Sequence, residues 1–78
     1  MRRSEKAIRY RPHAEERMED RNVSRQHVRS TLTDPSAQRP ARIEGAIRFE
    51  RPISSRKRLA VIALEDSTSF TVITVFWM

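Results

Sequence analysis

The sequence predicts an α+β domain in which an N-terminal helical hairpin is laid on an antiparallel sheet. Three observations predict it. Residues 12–33 carry apolar side chains four apart between helix-capping residues. Residues 42–50 alternate between apolar and polar, and residues 59–64 and 70–77 are aliphatic, β-branched and aromatic runs. Two helices followed by three strands with short links make a two-layer unit with a meander sheet.

The elements follow in order. Residues 1–6 are expected to be a flexible basic arm. Residues 7–10 read either as a short edge strand or as plain extended chain, because Pro12 disfavours helix at Arg11. Pro12 suits a first helical turn, where its missing N–H is no loss. Ala14 and Met18 then share one face, with Glu15, Glu16 and Glu19 toward the N-terminal end or solvent. Asn22 tolerates the left-handed conformation that ends a helix. Ser24 is a good N-cap for a second helix, Val28 and Leu32 form its buried stripe, and Asp34-Pro35 stops it. Residues 35–40 read as a loop. Ile43, Gly45, Ile47 and Phe49 alternate with Arg42, Glu44, Ala46, Arg48 and Glu50, the pattern of a half-buried strand. A polar, basic connection follows from Pro52. Leu59 to Leu64 is continuously apolar, as in a central strand covered on both faces. Residues 65–69 read as a turn and 70–77 as the third strand.

Seventy-eight residues make one domain with a small core. The absence of cysteine excludes disulfides and thiolate metal sites. No apolar run approaches the ~18 residues of a membrane span, and the N-terminus lacks the apolar stretch of a signal peptide. These features lead to the expectation of a cytoplasmic protein with no membrane association. Charge says more. There are 16 Lys and Arg against 10 acids, and 14 of the 16 are Arg. Guanidinium is planar, always charged and matched to phosphate oxygens in pairs, so the balance points to a polyanionic partner, most simply nucleic acid. The excess is concentrated at residues 1–11, net +4, and 39–58, net +5.

His13, Arg17 and Arg21 are spaced four and four, and form a row along the edge of the Ala14/Met18 face. An imidazole beside two guanidiniums can bind a phosphate and move a proton; the same spacing also serves ordinary capping and surface ion pairs. His27 reads as structural or exposed. Two isolated histidines with no ligand spacing give no metal site, and no glycine-rich phosphate loop is present, so no cofactor is expected. The segment carrying Arg51, Arg56, Lys57 and Arg58 reads as an exposed basic flank for phosphate contacts, or as charge protecting a strand edge. By period two, Thr71 and Thr74 are expected on opposite faces. Phe76 and Trp77 either stack on bases or fill the core.

The stretch Pro12-His-Ala-Glu-Glu-Arg-Met-Glu-Asp-Arg-Asn-Val-Ser-Arg-Gln-His-Val, then Asp34-Pro35, then Thr74-Val-Phe-Trp77, resembles a family of small bacterial and phage domains of unknown function. Members open with His-Ala-x-x-Arg-Met-x-x-Arg-Gly-Ile-Ser and close with Thr-Val-aromatic-Trp. The family is grouped with the RelE/ParE-like toxins, within the barnase–EndoU–colicin–RelE ribonucleases. The resemblance runs from about Tyr10 to Trp77 and implies a RelE-like α+β fold, with a curved antiparallel sheet of three to four strands. It implies a metal-independent endoribonuclease toxin encoded beside an acidic antitoxin that covers the basic groove. The family's His falls on His13, its motif arginines on Arg17 and Arg21, and its closing Thr on Thr74; Asn22 stands where members have Gly.

The expected reaction is attack of an RNA 2′-hydroxyl on the adjacent phosphorus, on free RNA or on the ribosome, with His13 moving the proton and Arg17 and Arg21 holding the phosphate. Arg48, Arg58 and Thr74 are further contributors from the sheet, and Glu50 a partner base. Arg48, Arg51, Arg56, Lys57 and Arg58 are the expected nucleic-acid-binding residues. Two alternatives use the same fold. One is a non-catalytic nucleic-acid-binding or regulatory module. The other is a protein-binding inhibitor in the manner of a gyrase poison, which would offer residues 42–51 as an exposed edge strand.

Overall fold

A computed structural model describes residues 6–78. The elements are β1 (Ala7–Tyr10), α1 (Pro12–Asp20), α2 (Arg25–Thr33), β2 (Ala37–Pro40), β3 (Ile47–Pro52), β4 (Arg58–Glu65) and β5 (Ser69–Trp77). The five strands form one sheet in the order β1-β5-β4-β3-β2. β1 runs parallel to β5, and every other pairing is antiparallel.

This corrects the expected fold class. The sheet has five strands rather than three or four, and it is mixed rather than antiparallel. The helices are two short, nine-residue segments inserted between β1 and β2 rather than an N-terminal hairpin. They lean on the sheet more than on each other: α1 lies over β5, and α2 over β4 and β3. β1 is the short edge strand that is one of the two readings of residues 7–10, whereas the residues of β2 read as loop; the signal for both is weak because each is four residues long, sits at a sheet edge and is half exposed or exposed. Pro40 suits such an edge, where no ladder donor is required of it. β3 is flanked by β2 and β4, so residues 42–51 do not supply a free strand edge. β3 starts only at Ile47 because Gly45 takes a left-handed φ of 82°, and residues 41–46 close on themselves through Ala41 N–H to Ala46 O at 3.1 Å.

Of the expected arm, residues 1–5 lie outside the described residues. Lys6 is held: its Nζ donates to Glu65 Oε2 at 2.7 Å and to the Asp66 carbonyl at 2.6 Å.

Local signals explain the helices. Pro12 opens α1, and Asn22, at φ 57°, ends it. The N–H of buried Val23 reaches back to Met18 O at 2.8 Å, the six-to-one bond of a left-handed helix end. Ser24 Oγ accepts from His27 N–H at 3.0 Å while His27 Nδ1 accepts from Ser24 N–H at 3.4 Å, a reciprocal cap on α2.

Between helices and sheet lies the core: Ala14, Met18, Val28 and Leu32 against Phe49, Leu59, Val61, Ala63, Phe70, Val72 and Val75. The register Leu59↔Trp77, Val61↔Val75, Ala63↔Val72 keeps one parity of β4 on this side. Between Ile62 and Ala63 the register shifts, leaving Ile73 as an extra residue in β5. This bulge puts Thr74 opposite Ile62 and Thr71 opposite Leu64, so both threonines share the face away from the helices. The expectation of opposite faces is corrected, because strict alternation stops at a bulge.

The turn between β4 and β5 is held by Asp66, whose Oδ1 accepts from Thr68 and Ser69 N–H, each at 2.8 Å. The Thr68 bond first, then the Ser69 bond, holds this exposed carboxyl below the usual aspartate range. The folded state therefore takes up this proton less readily than the unfolded chain. The contribution of Asp66 is complete above the ordinary aspartate pKa of about 4, and is lost as pH falls through the lower folded value. Thermal unfolding of Asp66→Asn is expected to lose less stability than the wild type on acidification over that window. Parallel pH curves for the two proteins would refute this assignment.

Candidate nucleic-acid interface

The structure splits the residues expected to act together. His13, Arg17 and Arg21 belong to α1 and its C-cap, on the helix-covered side, and each has its own surroundings. The His13 side chain is exposed and hydrogen-bonds to nothing among the described residues. Arg17 Nη1 pairs with Asp20 Oδ2 at 3.0 Å. Arg21 Nη1 donates to the Val75 carbonyl at 2.7 Å, and the Arg21 carbonyl accepts from Trp77 Nε1 at 2.7 Å. Arg21 thus fastens the end of α1 to β5. Trp77 packs on the helix side, edge-on to His27 with ring centroids 6.0 Å apart, with Lys57 Nζ 5.1 Å from its ring. Helical spacing put three side chains on one helix face, but it carried no information on what that face meets.

The basic segment is split in the same way by strand parity. Arg51, opposite Leu59, points to the helix side and donates to Asp34 O at 2.7 Å and Asp34 Oδ2 at 3.0 Å. Arg56 and Lys57 are exposed at the turn linking β3 to β4. Arg48 and Arg58 go to the open face, the side of the sheet with no helices, as does Thr74.

On that face a set of charges converges. Glu50, only 2% exposed, lies two residues from Arg48 on the same face of β3. Its Oε2 accepts from Arg48 Nε at 2.7 Å and lies 3.4 Å from Arg39 Nε; its Oε1 lies 3.6 Å from Arg58 Nη2. Arg58 Nη2 also donates to Ser36 Oγ at 3.1 Å. Arg39 and Arg48 are direct cross-strand partners, a like-charge pairing that is unfavourable alone. The carboxylate beneath them offsets that repulsion. Three guanidiniums against one carboxylate leave the set at net +2.

Next to this set Arg48 lies over the Phe76 ring, 5.0 Å from its centroid. Phe76 and Ile62 floor a cleft of about 440 Å³, with Pro40 and Ile43 as apolar walls and Arg39, Arg42 and Arg48 at the rim. Ile43 is 47% exposed. Fixed guanidiniums beside a half-buried aromatic ring can hold phosphate oxygens and pack against a base.

Sequence reasoning missed Arg39, Arg42 and Phe76 as members of one site, and gave Glu50 the part of a free base. One signal was present: Arg48-x-Glu50 is an opposite-charge pair at strand period, which places both on one face. Arg39 was hidden because β2 read as loop.

Two short helices on one side of a five-stranded mixed sheet, with a basic open face on the other, define a small α+β domain. The chain belongs to the family described as a domain of unknown function, DUF4258, whose family model matches residues 10–77. No curated protein matches the chain, and no solved structure does. Among the described residues no helix is long and apolar enough to cross a membrane.

Proposed function

We propose that this protein is a toxin-like, metal-independent endoribonuclease of the RelE/ParE-like kind, and that it binds RNA on the open face of its sheet. The observation carrying this reading is the cluster of Arg39, Arg48 and Arg58 around buried Glu50, beside Phe76. Glu50 is a positioning residue here. Its oxygens are engaged by the three guanidiniums, of which Arg58 also donates to Ser36 Oγ; a guanidinium has five N–H donors, so donors remain for a ligand. In the reaction, the RNA 2′-oxygen bonds to the adjacent phosphorus and the bond from phosphorus to the 5′-oxygen breaks. The 2′-hydroxyl proton leaves to water, and water protonates the 5′-oxygen. The products are a 2′,3′-cyclic phosphate and a 5′-hydroxyl. The guanidiniums stabilise the charge that builds on the pentacoordinate phosphorus, a fixed-dipole effect that needs no acid or base of its own. Thr74, on the same face, hydrogen-bonds the sugar in this reading. An acidic antitoxin would cover the same surface.

A non-catalytic RNA-binding module is the second reading. The observation favouring it is that both histidines lie in helices, away from the guanidinium cluster.

One experiment separates the two. The full chain is mixed with 5′-labelled single-stranded RNA in EDTA, with affinity and cyclic-phosphate ends both measured. Binding is expected to weaken steeply with salt. Arg48→Ala, or Arg58→Ala as a second variant, should lower affinity roughly tenfold, the worth of one hydrogen bond to a charged group, and abolish cleavage. His13→Ala should change neither. Binding without cleavage selects the second reading, and no salt-dependent binding removes both.

A further inference from the structure

We infer that the open-face cleft accepts one unstacked base of the bound RNA and prefers guanine, read by Arg42. This deepens the RNA reading above and rests on it. The cleft, about 440 Å³, lies within the size range of small-molecule sites and has room for one flat heterocycle. Its floor and walls are apolar, and the Arg48 guanidinium lying over half-buried Phe76 gives a flat stack against which a base packs. Ile43, one of two exposed large hydrophobics among the described residues, forms the outer wall and would be covered by such a base.

The polar chemistry of the rim sets the preference. Every charged side chain lining the cleft is an arginine. Guanidinium has donors and no acceptor. Glu50, the nearby carboxylate, is buried beneath its own ion pairs and is not a lining residue. On the edge where guanine carries O6 beside N7, adenine would turn an amino donor toward the fork, and uracil sets an N–H donor between its two carbonyls. Guanine presents O6 and N7, two acceptors at the spacing of a guanidinium fork. Arg39 and Arg48 are already held by Glu50, which assigns them to phosphate. Arg42 is exposed and, among the described residues, pairs with no acid, so its fork is available to the base.

The test uses the full chain and fluorescein-labelled 2′-O-methyl nonamers, in which the nucleophilic hydroxyl is blocked. The background is oligoadenylate with a central guanine, adenine, cytosine or abasic site, and binding is read by anisotropy. The guanine nonamer is expected to bind roughly tenfold more tightly than the adenine one, the low end of what a bidentate contact discriminates. Arg42→Lys keeps the charge but removes the fork. It should erase that preference, bringing the guanine and adenine nonamers to equal affinity. Arg42 lies on an exposed loop, and unchanged circular dichroism and Tm would show that the variant folds. Equal binding of all four nonamers, or a guanine preference that survives in Arg42→Lys, overturns the inference. If RNA binding then still depends on Arg48, the RNA reading stands; if no nonamer binds, both fall.

Discussion

Glu50→Gln is expected to lower unfolding stability by about 1.5–3 kcal/mol, the range for losing hydrogen bonds to a charged group, since the guanidiniums it leaves behind are 29–60% exposed to water. The carboxylate is 2% exposed and lies within 4 Å of three guanidiniums, so its loss leaves Arg39, Arg48 and Arg58 mutually repulsive over a buried amide. Urea denaturation measures it. The variant should also regain stability when Arg39→Ala is added, because that change removes the Arg39–Arg48 cross-strand repulsion. A loss below about 1 kcal/mol, the range of exposed pairs, would mean that Glu50 does not organise the open face.

Phe49→Ala is expected to cost about 3–5 kcal/mol, and Phe49→Leu well under half of that. Phe49 is fully buried and meets Phe70 edge to face, with centroids 5.8 Å apart and planes at 88°. A domain of this length has roughly 4–12 kcal/mol of stability in total, so the alanine variant is expected to be partly unfolded at ambient temperature. Phe49 also stands between Arg48 and Glu50 in β3, pointing to the opposite side. Any collapse of β3 into the vacated core moves both members of the ion pair. The leucine variant, which stays folded, should therefore weaken RNA binding more than an equally destabilising change in α1, such as Met18→Leu. Equal affinities for those two variants would show that the faces are not coupled.

Which parts of this fold were legible depended on how local the determinant was. Pro12, Asn22, Ser24 and the Asp34-Pro35 stop act on their own neighbours, and α1 and α2 lie between them. The apolar run of β4 needs both faces covered wherever it sits, and it is the central strand. β1 and β2 have no such autonomy. Residues 7–10 and 37–40 become strands because β5 and β3 offer them partners, and that information is dozens of residues away or on the other side of a loop. Gly45 and the extra Ile73 each break a period of two, and they moved the start of β3 and the facing of Thr74. The candidate site suffered from the same cause. Charge density singled out residues 39–58, but only parity on a correctly placed strand separates Arg48 and Arg58 from Arg51. The row His13, Arg17, Arg21 was correctly placed on one helix, but Arg21 is consumed in fastening that helix to β5.

The parallel pairing of β1 with β5 joins the earliest described strand to the latest. A sheet with so distant a closure has high contact order, and cannot complete itself piecemeal as the polypeptide is synthesised. While residues 69–77 are still inside the ribosome, β1 has no neighbour, β4 has one bare flank, and the Phe76 floor of the cleft does not exist. β1 and the floor of the cleft therefore form only once residues 69–77 are available to pair.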